Sequence, residues 1–191
     1  TTSKFFLSFF SISIVDFPID PVEPSIAIFF FILNNPKNYF IQEWYCNYSK
    51  NYSLMKKKIA ILGSTGSIGK STLDIIRKDK KNFEIVFLSA NNNYKKLIQQ
   101  AKEFSAKNVL IKNKILYERV KKSLKKRRTK VFSGDTSINN IISGELDYTM
   151  SGIVGLAGLQ PTIDAIKISK TVAIANKETI ICGWNILSKL I

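Results

Sequence analysis

From Met55 onward the chain alternates short apolar runs with longer segments whose apolar residues recur every three or four positions. The runs "KKIAILG" (57–63), "FEIVFLSA" (83–90) and "NVLIK" (108–112) read as strands, as do "KVFSG" (130–134), "YTMSGIVG" (148–155) and "TVAIAN" (171–176). Between them, helices are predicted over 66–78, 94–104 and 114–127, near 136–143, over 159–169 and from about Lys177. Strands that alternate with helices imply a parallel sheet covered on both faces, with ligands at the carboxyl ends of the strands.

Before Met55 the pattern is different. "DFPIDPVEPSIAIFFFI" (16–32) is punctuated by prolines and then runs into an apolar block, which is too short to span a bilayer and has no basic leader region. The charge is divided at the same place. The chain carries 29 basic and 14 acidic residues, a net +15, yet residues 1–54 hold only Lys4, Lys37 and Lys50 against Asp16, Asp20, Glu23 and Glu43. The basic character therefore belongs to the part after Met55. Most of it reads as the coding bias of an AT-rich gene, and the run "KKSLKKRRTK" (121–130) as a solvated helix face with no interleaved aromatics for a nucleic-acid platform. With no His, and only Cys46 and Cys182, neither a zinc site nor a disulfide framework is expected, and a cytoplasmic setting fits.

The chemistry lies in "ILGSTGSIGKST" (61–72), placed between the first strand and the first helix of this part. Glycines there let backbone amides and a helix N-terminus approach phosphate. Gly63, Gly66 and Gly69 fall three apart. Gly69-Lys70-Ser71 would end a P-loop, but its first glycine should then stand at Ser64; the same residue breaks the usual dinucleotide fingerprint and leaves a looser G-x-x-G-x-x-G. The end of the next strand reads "LSANNNYKK", without the acid that would hold a ribose hydroxyl, so NADP is favoured over NAD, with Lys95 or Lys96 close to a 2′-phosphate. The fold expected is a doubly wound, Rossmann-like α/β domain.

Two blocks, "MKKKIAILGSTGSIGKSTLDIIRK" (55–78) and "SGIVGLAGLQPTIDAIKISKTVAIANKETIICG" (151–183), resemble the start and the end of the cofactor domain in the 1-deoxy-D-xylulose 5-phosphate reductoisomerase family. The resemblance runs from Met55 to Ile191. It implies a bacterial, cytoplasmic, homodimeric enzyme of isoprenoid biosynthesis that uses NADPH and Mg or Mn to convert a phosphorylated ketose into 2-C-methyl-D-erythritol 4-phosphate. By matching motif it places Thr65, Gly66, Ser67 and Ile68 at the cofactor phosphates, and Asn91, Asn92 and Asn93 on the adenosine side where members often have Gly-Lys-Asn. Asn176 and Glu178 would face the nicotinamide half, and Lys177 the substrate. The family's metal-binding Asp-Ser-Glu segment, its His-containing substrate loop and its C-terminal helical domain find no match. Residues 55–191 are therefore expected to be a cofactor domain cut before its catalytic domain, with neither a complete catalytic set nor metal ligands. The alternative of another class is a basic nucleotide- or nucleic-acid-binding module without catalysis, and no membrane partner is expected.

The opening segment has a reading of its own. In the antisense frame offset by one base, Gly reads as Pro, Lys as Phe or Leu, and Ile and Ala as themselves. Pairing each residue of 1–32 with its mirror position in 55–86 fails at only four pairs: Thr2 with Ile85, Phe10 with Arg77, Ser11 with Ile76 and Ile14 with Leu73. Residues 1–32 thus read as the reverse complement of a diverged copy of the same gene start, and 33–54 as a spacer. Residues 1–54 are expected to be a disordered or non-native extension, with the natural start at Met55.

Overall fold

The computed structural model describes residues 56–190 together with the backbone of Phe31–Asn34. The rest of the antisense-like segment 1–32 and of the spacer 33–54 lies outside the described residues. One sheet organises the molecule. Its strands are β1 (Phe31–Asn34), β2 (Lys57–Leu62), β3 (Phe83–Ala90), β4 (Asn108–Ile111), β5 (Lys130–Ser133), β6 (Leu146–Ser151) and β7 (Ser169–Ile174), in the order β1-β7-β6-β2-β3-β4-β5. From β7 to β5 every pairing is parallel, whereas β1 lies antiparallel on the outer edge of β7, Phe31 opposite Ile174.

The helices are α1 (Ser67–Lys78), α2 (Tyr94–Phe104), α3 (Tyr117–Leu124), α4 (Ile138–Ile141), α5 (Leu159–Ile166) and α6 (Lys177–Leu187). Alternate residues of β2 feed opposite cores, which is why its sequence is continuously apolar from Ile59 to Leu62. Ile59 and Ile61 join Leu73 and Ile76 of α1, Leu97 and Ala101 of α2, and Val120 and Leu124 of α3. Ala60 and Leu62 join Ile138 of α4 and Ala165 of α5 on the other face. The β2–β3 register steps from Ile59↔Ile85 to Ala60↔Phe87, leaving Val86 as an inserted residue. Val86 and Phe87 consequently both enter the second core, as a β-bulge allows.

The element boundaries differ most from the sequence expectation around α3, β6, α5 and β7. Instead of one helix over 114–127, a 3-10 turn at Lys114–Leu116 leads into α3, which stops at Leu124. Beyond it stand Lys125, Lys126, Arg127 and Arg128, which follow Lys121 and Lys122 at helical spacing, where like charges repel; the chain instead closes a turn from Arg127 N–H to the Leu124 carbonyl. Strand β6 ends at Ser151, because Gly152 begins a loop in which Gly155 takes a left-handed φ of +70°. Helix α5 gives way early, since Ser169 already belongs to β7, and β7 ends at Ile174, two residues before Asn176 starts α6.

Candidate dinucleotide site

The β2–α1 loop opens with Gly63 at φ +76°, and a Cβ there would stand 2.9 Å from the Gly152 carbonyl oxygen. A turn follows, closed by Gly66 N–H donating to the Gly63 carbonyl at 3.1 Å. Gly66 is the N-cap of α1 and offers no side chain to it, and the first turn holds no acid. The first bond of the helix runs from Lys70 N–H to the Gly66 carbonyl. Helix geometry therefore leaves the amides of the preceding residues of the first turn without intrahelical acceptors, at the positive end of the helix dipole. Thr65 and Ile68 are half-buried there, while Gly66 and Ser67 are exposed. Gly69 serves packing instead. A Cβ on it would lie 2.4 Å from Ser64 Cα, so its absence lets α1 settle onto the loop.

Ser64, the residue that breaks both glycine fingerprints, proves to be the anchor. It is fully buried; its N–H donates to the Ser89 carbonyl at 2.8 Å and its Oγ to Gln100 Oε1 at 2.8 Å. Gln100 Nε2 donates back to the Ser64 carbonyl at 2.8 Å, and Gly63 N–H donates to Ser89 Oγ at 3.0 Å. A glycine at 64 could make only the backbone half of this set.

Asn91, Asn92 and Asn93 form the exposed turn after β3. Asn93 caps α2 by accepting Lys96 N–H at 3.2 Å, and Asn92 Oδ1 accepts Asn113 Nδ2–H at 3.0 Å. The Asn91 carbonyl accepts Asn113 N–H at 3.2 Å, so the turns after β3 and β4 are stitched together. Lys96 reaches Gln99, Lys95 is exposed, and Lys112 pairs with Asp135 at 3.0 Å.

At the other end of the site, Asn176 is buried and uses its whole amide. Its Nδ2 donates to the carbonyls of Ile153 and Gly155, both at 2.7 Å, and its Oδ1 accepts Glu178 N–H at 2.9 Å and Thr179 N–H at 3.4 Å. Asn176 thus caps α6 and straps the loop after β6 to it, a positioning role. Lys177 is exposed and Glu178 half-buried on the first turn. The strapped loop also meets the glycine loop, since a Cβ on Gly152 would lie 3.3 Å from Ile68 Cβ. Thr65–Ile68 and Asn176–Glu178, far apart in sequence, are in this way joined through 152–155 along one edge of the sheet.

Sequence reasoning missed Ser64, Ser89, Gln100 and Asn113. Gln100 did leave a signal, a carboxamide beside Leu97 and Ala101 on the apolar side of α2. Among the described residues no three His, Cys, Asp or Glu side chains come together to hold a metal ion, and no helix is long and apolar enough to cross a membrane.

A parallel sheet wound on both sides, with an uncapped helix N-terminus in a glycine loop at its carboxyl edge, defines a Rossmann-like α/β domain. The comparisons make the family specific. The family model for 1-deoxy-D-xylulose 5-phosphate reductoisomerase matches residues 59–183, and the chain belongs to that family. It is 53% identical over 135 residues to the 1-deoxy-D-xylulose 5-phosphate reductoisomerase of Pelagibacter ubique (strain HTCC1062), covering 70% of this chain and 35% of that one. The enzyme of the same name from Phocaeicola vulgatus is 40% identical over 137 residues, covering 71% and 36%. Among solved structures, the reductoisomerase from Zymomonas mobilis in complex with NADPH superposes with a TM-score of 0.67 at 34% identity, covering 71% of this chain and 36% of that one. A DOX-P reductoisomerase in complex with NADPH, fosmidomycin and magnesium gives 0.65 at 33% identity, covering 70% and 33%. The chain thus spans about a third of the length of the relatives it matches.

Proposed function

We propose that residues 55–191 are the NADPH-binding part of a reductoisomerase that converts 1-deoxy-D-xylulose 5-phosphate to 2-C-methyl-D-erythritol 4-phosphate. The observation that carries this reading is the joining of an uncapped, acid-free α1 N-terminus to the Asn176–Glu178 turn through the loop 152–155. A dinucleotide needs both ends: a cradle for its pyrophosphate and a second turn against which its nicotinamide can lie.

In this reading the exposed front formed by Thr65, Gly66, Ser67 and Ile68 binds the phosphates, and the turn of Asn91, Asn92 and Asn93 meets the adenosine ribose. With no carboxylate in that turn and Lys95 exposed beside it, a 2′-phosphate is met by dipoles and positive charge rather than repelled. Glu178 lines the nicotinamide end, Asn176 fixes its backbone, and Lys177 supplies a cation for the phosphorylated ketose. Bound NADPH would supply the hydride; what these residues do is orient it. Among the described residues no three His, Cys, Asp or Glu side chains converge, and in this reading the ligands of the divalent ion are assigned to the part of the relatives that this chain does not span. The homodimer, the cytoplasmic setting and the absence of nucleic-acid and membrane partners belong to the same reading, as does the non-native origin of residues 1–54.

Titration of the purified chain with NADPH, followed by tryptophan fluorescence, tests it. Saturable quenching is expected, weaker with NADH, and no NADPH consumption when ketose phosphate and magnesium are added. Salt-sensitive oligonucleotide binding without any NADPH response would overturn the reading in favour of a basic binding module.

A further inference from the structure

We propose that Gln100 is a positioning residue that holds the phosphate cradle in register with the ribose turn, and so sets dinucleotide affinity without touching the ligand. Resting on the dinucleotide reading above, this assigns a role to a side chain that the site itself does not contain. Gln100 is 3% exposed and gives both ends of its carboxamide to one residue, accepting from Ser64 Oγ and donating to the Ser64 carbonyl, each at 2.8 Å. Gly63 and Ser64 are held on their other side by Ser89, the penultimate residue of β3.

The cradle is therefore clamped between β3 and α2. The turn Asn91–Asn93 is the junction of those same two elements. Buried polar groups keep their partners because an orphaned one loses its hydration with nothing in return, and a fully satisfied buried network moves as a unit. A shift of α2 against the glycine loop would break the paired bonds to Ser64. The phosphate site and the ribose site are thereby fixed at one separation, so a ligand spanning both need not order them on binding.

Gln100→Leu keeps much of the volume and removes both bonds. The Ser64 hydroxyl can still turn to the Ser89 carbonyl, 3.2 Å away, but the Ser64 carbonyl loses its side-chain donor. Gln100→Glu separates the two bonds by pH. Ionised, the carboxylate accepts from Ser64 Oγ but sets its second oxygen against the Ser64 carbonyl; protonated, it donates there as the amide did.

Calorimetric titrations with NADPH and with adenosine 2′-monophosphate, which reaches only the ribose turn, read the effect on the whole chain, with thermal melts to confirm folding. For Gln100→Leu, NADPH affinity is expected to fall about tenfold, part of the worth of two ordinary hydrogen bonds, while the nucleotide changes by less than about twofold. For Gln100→Glu, NADPH affinity relative to wild type is expected to recover as the pH is lowered. Equal loss for both ligands, or no loss in a folded variant, overturns the proposal. Should Gln100→Leu not fold, Gln100→Glu decides alone, and NADPH affinity that follows wild type at every pH overturns it. If wild type binds neither ligand, the dinucleotide reading fails first and the role of Gln100 falls with it.

Discussion

Two glycines three residues apart separate ligand binding from folding at the residue scale. A Cβ on Gly66 would have only the Gly63 carbonyl oxygen near it, at 3.4 Å, and the backbone there is ordinary for an L-residue at φ −74°. Gly66→Ala is therefore expected to leave the melting temperature within about 3 °C of wild type, equivalent to roughly 0.5 kcal/mol. Its methyl group would stand where phosphate must approach, and NADPH affinity is expected to fall by about tenfold or more. Unchanged affinity in a folded Gly66→Ala protein would remove this residue from the cradle. Gly69→Ala should behave in the opposite sense. Its Cβ would meet Ser64 Cα at 2.4 Å and the Gly63 carbonyl oxygen at 2.6 Å, backbone atoms that yield only if α1 moves. A loss of about 2 kcal/mol is expected in denaturant unfolding, whether or not a ligand is present.

At the scale of elements, the α6 N-terminus depends on one side chain. Asn176→Asp keeps the acceptor for Glu178 and Thr179 N–H but replaces the donor to the Ile153 and Gly155 carbonyls by an oxygen. Faster amide exchange confined to the first turn of α6 and the loop 152–155 is expected, with a stability loss of about 2 kcal/mol. Uniform exchange across the sheet instead would show that the strap is not local. These elements are legible in the sequence to different degrees, for physical reasons. Buried strands such as β2 and β3 announce themselves because both their faces are apolar, and the apolar periodicity predicts α2 over its observed span, Tyr94 to Phe104. The overextended α3 shows the limit of periodicity, which does not weigh the repulsion of Lys121 and Lys122 with the basic run that follows. Ser64 looks like a defect in two motifs because its value lies in Gln100, 36 residues away, and spacing carries no information about that contact. The Asn92–Asn113 bond and the β1–β7 pairing are hidden for the same reason.

The whole molecule meets pH through β6, which sits between β7 and β2. Burial pushes the carboxyl of Asp147 up, but the Lys170 ammonium at 2.7 Å, the Lys58 N–H at 2.9 Å and the charge of Lys57 outweigh it, and the group lies below its ordinary value. A carboxyl held low in the fold contributes stability that is present above its unfolded pKa, near 3.8, and is lost as the pH falls through the folded one. The next residue has the opposite sense. Burial raises the Tyr148 phenol to about 12 from 10.0, so its contribution is complete below pH 10.0 and is lost as the pH rises through about 12. Lys170, raised by its bond to Asp147, loses its contribution on the same alkaline flank. Melting temperature against pH should accordingly show a plateau with two flanks. Asp147→Asn should flatten the acid flank and Tyr148→Phe should move the alkaline one to higher pH. An unmoved alkaline flank in Tyr148→Phe would mean that the phenol ionises alike in the folded and the unfolded chain. Since β6 runs directly into the loop 152–155, which links the glycine loop to Asn176, NADPH binding is expected to disappear along the same alkaline flank as the fold and to move with it in Tyr148→Phe. A binding limb that stayed in place while the melting limb moved would place its titrating group in the site itself.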